Sequence, residues 1–393
     1  MRAVGIITEY DPFHAGHAWQ IAQARQMGAQ SVVVCMSTDL TQRGGIALLP
    51  PQVRAKAALQ MGADLVLGLP NPCAVQSAEG FAAAGVAVLS ALPQLDSLVF
   101  GAETPDVQGL CQVAEILQSE AFAKQVRGVN QKGVSFAAAR AEAAGKLHPK
   151  AAEILASPNN NLGVEYCKAI AAQKSHLKPV PIQRIGAAHG QQTPGENGFA
   201  SASMLRRLWH TQGADALAEY VPPSALQLYQ QAAEQGLDLS PQAFDLTVLS
   251  RLRGMSVQQI AKTRGTAEGL EHRLFNMLRN ATNLQQLYDA LKTKRYTHAR
   301  LRRYVLCAAL GYTEDLPQTP PYLHVLGANP AGLSLLKHAT MPADTSLAAL
   351  EKTGKAAAQM AQAHAAGTDL AALCRKTPGV MGLSYTQPPV FMK

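Results

Sequence analysis

Over the first hundred residues, short apolar runs alternate with longer stretches of helical spacing. Residues 3–7, 31–36, 64–67 and 97–100 are compact runs rich in Val, Ile and Leu, the pattern of strands buried on both faces. Between them, residues 15–27, 51–61 and 78–92 repeat apolar positions at helical intervals. Strands joined by helical crossovers predict an α/β fold: a doubly wound parallel sheet with ligands bound beyond the carboxyl ends of its strands.

The pattern then changes twice. Residues 106–177 are Ala-rich and helical in character, broken by Ser157-Pro158-Asn159-Asn160-Asn161, where a turn is predicted whose asparagines cap a helix beginning near Leu162. Residues 179–185 read as a further strand and 189–197 as a polar, Gly-rich loop. Ser201 and Ser203 open a helical pattern with Arg206 in its first turns, which fits either a serine N-cap or a phosphate clamp. Beyond Val221-Pro222-Pro223, Leu, Gln, Ala and Arg recur at helical spacing to about residue 310, which predicts a separate α-helical region. From Pro317 the chain holds a strand-like 322–326 and an Ala-rich 348–366. Three parts are expected: an α/β domain over 1–220, a basic helical region over 221–316, and a small mixed or helical C-terminal extension over 317–393.

Composition narrows the class. At 393 residues the chain exceeds one ordinary domain, and 47% hydrophobic against 16% charged residues argues against long disorder. No apolar run reaches the roughly 18 residues that cross a bilayer. The N-terminus enters strand-like sequence without a charged and apolar leader, so a cytoplasmic protein with no membrane partner is expected. The six cysteines are scattered without a C-x-x-C pair, as reduced core residues are. A formal charge of +8 favours a polyanionic partner.

Two constellations could carry chemistry. The first is Gly5-Ile6-Ile7-Thr8-Glu9-Tyr10-Asp11-Pro12-Phe13-His14-Ala15-Gly16-His17, where the first strand hands over to a helix. The first turn of that helix offers unpaired N–H groups to an anion. His14 and His17 placed there can bond the phosphates of a nucleotide and stabilise charge on the α,β-bridge as pyrophosphate departs. So short a motif also fits a pair of structural histidines. The second lies between positions 292 and 303: Lys292, Lys294, Arg295, Arg300, Arg302 and Arg303, with no acidic residue among them. Leu301, Tyr304, Val305 and Ala308 give this run an apolar face, and Tyr296 and His298 interleave with it, as at a nucleic-acid backbone contact. A solvated helix face is the plainer reading. Arg251, Arg253, Lys262, Arg264, Arg273 and Arg279 upstream keep the same sign.

The wording Glu9-Tyr10-Asp11-Pro12-Phe13-His14-Ala15-Gly16-His17 resembles the bacterial tRNA(Met) cytidine acetate ligase family, within the nucleotidyltransferase-like proteins that share His-x-Gly-His. Further stretches match in order, including Gln42-Arg43-Gly44, Phe100-Gly101-Ala102-Glu103, Pro158-Asn159-Asn160, Arg184-Ile185-Gly186-Ala187, Ser201-Ala202-Ser203, Glu268-Gly269-Leu270-Glu271 and Lys292-Thr293-Lys294-Arg295-Tyr296-Thr297. The resemblance implies an ATP-dependent ligase that forms acetyl-adenylate and passes the acetyl group to the wobble cytidine of elongator tRNA(Met). By position it implies that Ile7, Thr8, Glu9, Tyr10, Asp11, Pro12, Phe13, His14, Ala15, Gly16, His17, Ala18, Trp19 and Gln20 form the ATP segment, with further nucleotide contacts from Gly101, Asn160 and Arg184. ATP would come with Mg2+, acetate would be the second substrate, and no protein metal site is expected. The chain departs from the family wording at Asp11, Ala15, Gly45, Pro51 and Gly68, and Arg54 and Lys56 are expected to compensate for the charges missing from loop 45–51. The other readings are a nucleotidyltransferase for a small phosphorylated metabolite, or an RNA-binding protein with a degenerate nucleotide pocket.

Overall fold

The computed structural model describes residues 3–130, 136–186 and 198–393. The polar loop expected over 189–197 lies outside them. Eight strands among the described residues form one sheet: β1 (Ala3–Thr8), β2 (Ser31–Ser37), β3 (Leu65–Leu69), β4 (Leu95–Ala102), β5 (Lys178–Gln183), β6 (Leu323–Ala328), β7 (Ala343–Asp344) and β8 (Val390–Phe391). Their order is β5-β4-β1-β2-β3-β6-β7, with β8 also on β6. The first five run parallel, and β6 lies antiparallel to β3.

The strand runs are continuously apolar because both faces are covered. Val4, Ile6, Val32, Val34, Met36 and Val66 join one core, whereas Ala3, Ile7, Val33, Cys35, Leu65 and Leu67 join the other, alternating as the pleat requires. The first face packs on α1 (Ala15–Gln26) and α2 (Pro51–Gln60), the second on the helices Ala78–Ser90 and Pro158–Ala172. β5 contains Pro179 and Pro181, which its place at the sheet edge tolerates, since an edge strand has N–H groups with no ladder partner.

Three expectations change. The helix expected from about Leu162 begins at Pro158, so the asparagines lie in its first turn; proline at that position loses only an N–H that has no helical partner. The helical part is continuous with the sheet: Leu252, Leu274, Leu287, Leu301 and Tyr304 belong to the same core as Val4 and Val34. Residues 317–393 lead back into the sheet, supplying β6, β7 and β8.

The six cysteines are free, five buried and Cys111 half-buried. No helix among the described residues is long and apolar enough to cross a membrane. The strand order reverses at β1, whose neighbours are β2 on one side and β4 on the other. In a sheet of this order the carboxyl ends of β1 and β4 flank the place where a ligand crevice is expected.

Candidate active site

The motif turns out of β1 within six residues. Tyr10 takes a left-handed backbone (φ 47) and the Asp11–Pro12 peptide is cis. Tyr10 and Phe13 bury their rings edge to face, 4.8 Å apart. The helix Pro223–Glu234 holds the turn from outside, with Tyr229 Oη donating to Phe13 O at 2.6 Å. His14 is the N-cap of α1.

Both histidines cap that helix. His14 Nδ1 accepts from Gly16 N at 3.1 Å, and His17 Nδ1 accepts from His14 N at 3.3 Å. The rings stack with centroids 3.8 Å apart. Glycine at 16 suits this packing, because a Cβ there would lie 3.0 Å from the His14 ring, a tight approach. An imidazole whose Nδ1 accepts carries its proton on Nε2 when neutral. Neutrality is enforced: burial, then Arg184 and Arg206, push the His14 pKa down to about 3, and burial, then His14 and Arg184, hold His17 well below its usual value. Two Nε2–H donors thus stand side by side on half-buried rings.

Arginines bracket the pair. Arg184 follows β5, its N–H donating to Ala102 O at 2.8 Å beside the end of β4. Arg206 stands in the helix Ala202–Gln212, capped by Ser201, and its Nη1 bonds Asp11 O at 2.5 Å and Asp11 Oδ2 at 3.1 Å. The serine is therefore a cap, and the arginine comes to the motif. Asp11 Oδ1 accepts from Leu48 N at 2.7 Å, and Glu9 Oε1 from Gln42 N at 2.6 Å, so both carboxylates tie the motif to loop 38–50. Burial raises the Glu9 pKa.

On the opposite rim, Gly101 lies on β4 within 3.8 Å of the Arg184 side chain, measured from the Cβ an alanine would carry. Glu103 accepts from Asn159 N and Asn160 N, closing the start of the Pro158–Ala172 helix. Asn160 is buried, its Oδ1 bonded to Thr104 N at 3.0 Å. Gln20 reaches across from α1 to Val99 O at 3.4 Å. The motif, Gly101, Asn160 and Arg184 thus converge on the β1/β4 crevice. Arg54 does not join them: it is fully buried and donates to the carbonyls of Leu49, Glu9, Ser37 and Thr38. Its expected role as a substitute ligand charge is replaced by clamping the backbone of the motif, and Lys56 is exposed on α2. At Gly68 a side chain would meet Thr38 and Leu326, so the β6 contact occupies that space.

The basic run meets this site directly. Gly44 has φ +77, and a Cβ on it would fall 2.4 Å from Arg303 N. Arg303 Nη1 donates to Gln42 O at 3.1 Å. Arg303, expected at an RNA surface, also braces the His298–Leu310 helix against loop 42–44. Burial, and more weakly Arg206 and Arg302, lower the Arg43 pKa, while Glu9 raises it. Lys292, Lys294 and Arg295 are exposed; Arg300 lies 4.8 Å from the Tyr296 ring and Arg302 5.5 Å from that of Tyr288. Farther upstream, Arg251, Arg253, Arg264 and Arg273 end on carbonyls of Ala309, Ala281, Leu316 and Ala290, fastening helices together. Sequence reading missed Asn71, whose Oδ1 accepts from Thr38 Oγ1, Asp39 N and Leu40 N and so shapes the loop after β2. Its partners lie in distant loops and leave no local pattern.

The family model of the HIGH nucleotidyl transferases matches residues 1–380. A tRNA(Met) cytidine acetate ligase of Acetivibrio thermocellus is 31% identical over the whole of both chains, and one of Anoxybacillus flavithermus is 35% identical over 87% of this chain and 88% of its own. The crystal structure of Thermotoga maritima TmcAL bound with alpha-thio ATP superposes with a TM-score of 0.91 at 27% identity, covering 100% of this chain and 99% of that one. On these matches, the chain belongs to the HIGH nucleotidyl transferases and, among them, to the tRNA(Met) cytidine acetate ligase family.

Proposed function

We propose that this protein is an ATP-dependent ligase that activates acetate as acetyl-adenylate and acetylates the exocyclic amine of the wobble cytidine of elongator tRNA(Met), forming N4-acetylcytidine. The observation that carries the reading is the stacked His14–His17 pair, fixed in the Nε2–H form between Arg184 and Arg206 at the crevice beyond β1 and β4. An acetate oxygen would attack the α-phosphorus while the bond to the α,β-bridging oxygen breaks and pyrophosphate leaves. The cytidine amine would then attack the acetyl carbon, AMP would leave, and one proton would be released.

In the first step the protein's task is to orient and to supply donors where charge develops. The Nε2–H groups of His14 and His17 would meet the phosphates, with Arg184 and Arg206 on either side and Gly101 and Asn160 shaping the nucleotide seat. Segment 7–20 forms the rest of that seat. Among the described residues no group of three or more His, Cys, Asp or Glu gathers to hold an ion. We propose that Mg2+ would enter with the nucleotide and would supply positive charge to its phosphates.

Residues 1–220 would carry the ATP chemistry and 221–316 the RNA contact, with 317–393 completing the sheet beneath them. A nucleotidyltransferase for a small phosphorylated metabolite would use the same histidines. The RNA reading is favoured by the contact of loop 42–44 with the basic helix, which joins the two parts. Pyrophosphate release from ATP and acetate in the absence of RNA tests the proposal. Release that needs acetate, and that AMP formation follows once tRNA is added, is the expected result; release that ignores acetate and needs a phosphorylated acceptor would contradict it.

A further inference from the structure

A second cleft lies on the basic side of the molecule, about 340 Å³ in volume, between residues 268–273 and 293–296. That size is within the range of small-ligand pockets, roughly 300–1,000 Å³. Its lining is chemically divided. Lys294 and Arg295 are exposed cations at its mouth, Leu270 is a buried apolar floor, Tyr296 offers an aromatic surface, and Glu268 stands as a carboxylate on the other side.

The cleft is built to hold its shape. Arg273 fixes one wall by donating to Leu291 O and Ala290 O. Lys292 Nζ bonds Thr293 O and Tyr296 O, at 3.0 and 2.6 Å, and Arg295 N bonds Thr293 Oγ1, which sets the other. The Arg300 guanidinium lies 4.8 Å from the Tyr296 ring centroid and holds that ring in place.

Cations beside an aromatic surface and an apolar floor suit a phosphate joined to a flat heterocycle. A carboxylate at the edge accepts from an amino group on that heterocycle, as Glu does with a base edge. We propose that this cleft seats one unstacked nucleotide of the RNA substrate other than the cytidine that is acetylated. Its phosphate lies on Lys294 and Arg295, its base against Tyr296, and an exocyclic amine at Glu268. The inference rests on the RNA reading above and adds a second nucleotide site to it. Geometry links the two sites: the cleft ends at Tyr296, the helix starts at His298, and Arg302 and Arg303 against loop 42–44 follow after about 6 Å of helical rise. An RNA strand held in the cleft is thereby held beside the helix that braces loop 42–44.

The test is equilibrium binding of labelled tRNA(Met) and of its anticodon stem-loop to the full chain across a salt series. The variants are Arg295→Ala, Glu268→Gln, Tyr296→Leu and Tyr296→Phe, each checked for folding by its thermal midpoint. Arg295→Ala should lower the slope of log K against log salt by about 0.7. Tyr296→Leu should weaken binding by about tenfold, and Tyr296→Phe should restore it because the ring is kept. Glu268→Gln should leave the salt slope alone and reduce discrimination between stem-loops that differ in amino-bearing bases. Wild-type affinity and slope in both Arg295→Ala and Tyr296→Leu, with the native chain still acetylating tRNA, would overturn the cleft while leaving the ligase reading intact. Saturation of the cleft by free CMP as tightly as by RNA would also overturn it. Failure of the native chain to bind any RNA would overturn both.

Discussion

His14 and His17 stack at 3.8 Å while each accepts a backbone N–H through Nδ1, so one turn of helix fixes the tautomer of both rings. The donors left over, on Nε2, belong to imidazoles kept neutral by burial and by Arg184, with Arg206 adding to the effect at His14. A triphosphate entering this field would meet hydrogen-bond donors without any prior proton transfer.

Substitution separates the observed cap from the proposed catalytic donor. Asparagine at position 14 can still cap α1, whereas alanine gives up the cap as well, at a cost of about 1 kcal/mol. His14→Asn should therefore retain the native thermal midpoint yet lower the rate of acetate-dependent pyrophosphate release by about 10²–10³, the usual effect of removing one transition-state donor. Pyrophosphate release at the native rate would show that His14 only caps the helix.

Gly44 tests the joint between loop 42–44, beside the proposed ATP site, and the basic helix. Its left-handed φ and the 2.4 Å approach to Arg303 N leave no room for a side chain, and the opposing atom is backbone. Gly44→Ala should destabilise the fold by roughly 1–3 kcal/mol, seen as a lower urea midpoint. Arg303→Ala, which removes the bond to Gln42 O and leaves the Gly44 backbone contact in place, should weaken RNA-dependent AMP release more than pyrophosphate release. Equal loss in both half-reactions would mean that the strut supports the whole site rather than the joint.

Acid sensitivity should come from four buried histidines, His14 and His17 in the motif and His324 and His364 in the C-terminal part. His324 and His364 pack edge to face, 5.9 Å apart; burial lowers their pKa values to about 3 and about 4. Both are neutral in the fold, while in the unfolded chain they titrate near 6.5. Between those values the unfolded chain binds protons that the folded chain refuses. Stability should therefore fall as pH drops from about 6.5 towards 4, each proton contributing about 1.4 kcal/mol per pH unit. In His364→Asn the fall should be shallower by one proton's worth in urea titrations at pH 7, 6 and 5. An unchanged slope would assign the acid sensitivity to other groups.

The parts of this molecule legible in its sequence are those whose physics is local. Strands β1 to β4 could be read because two-sided burial makes them continuous apolar runs, and α1 because it follows a turn at Asp11-Pro12. The histidine motif was legible for the same reason, as residues crowded into one strand-to-helix turn. Contacts between distant segments left no such trace. β6 pairs with β3 across more than 250 residues, so residues 317–393 looked like an appendage. Arg54 resembled a ligand charge because its true partners are four backbone carbonyls that no side-chain pattern reveals. Arg303 stood in a basic run, and only the fold brought loop 42–44 against it. Three asparagines after Pro158 suggested a turn, although proline at the first helical position and a carboxylate from Glu103 allow the helix to begin there.

The central claim, that this chain joins acetate to a tRNA cytidine at the cost of ATP, is tested most directly by mass spectrometry of nucleosides from elongator tRNA(Met) incubated with the protein, ATP and isotopically labelled acetate. Labelled N4-acetylcytidine that vanishes when ATP is omitted is the expected result. Unlabelled cytidine throughout, from a protein that binds both ATP and the tRNA, would contradict it.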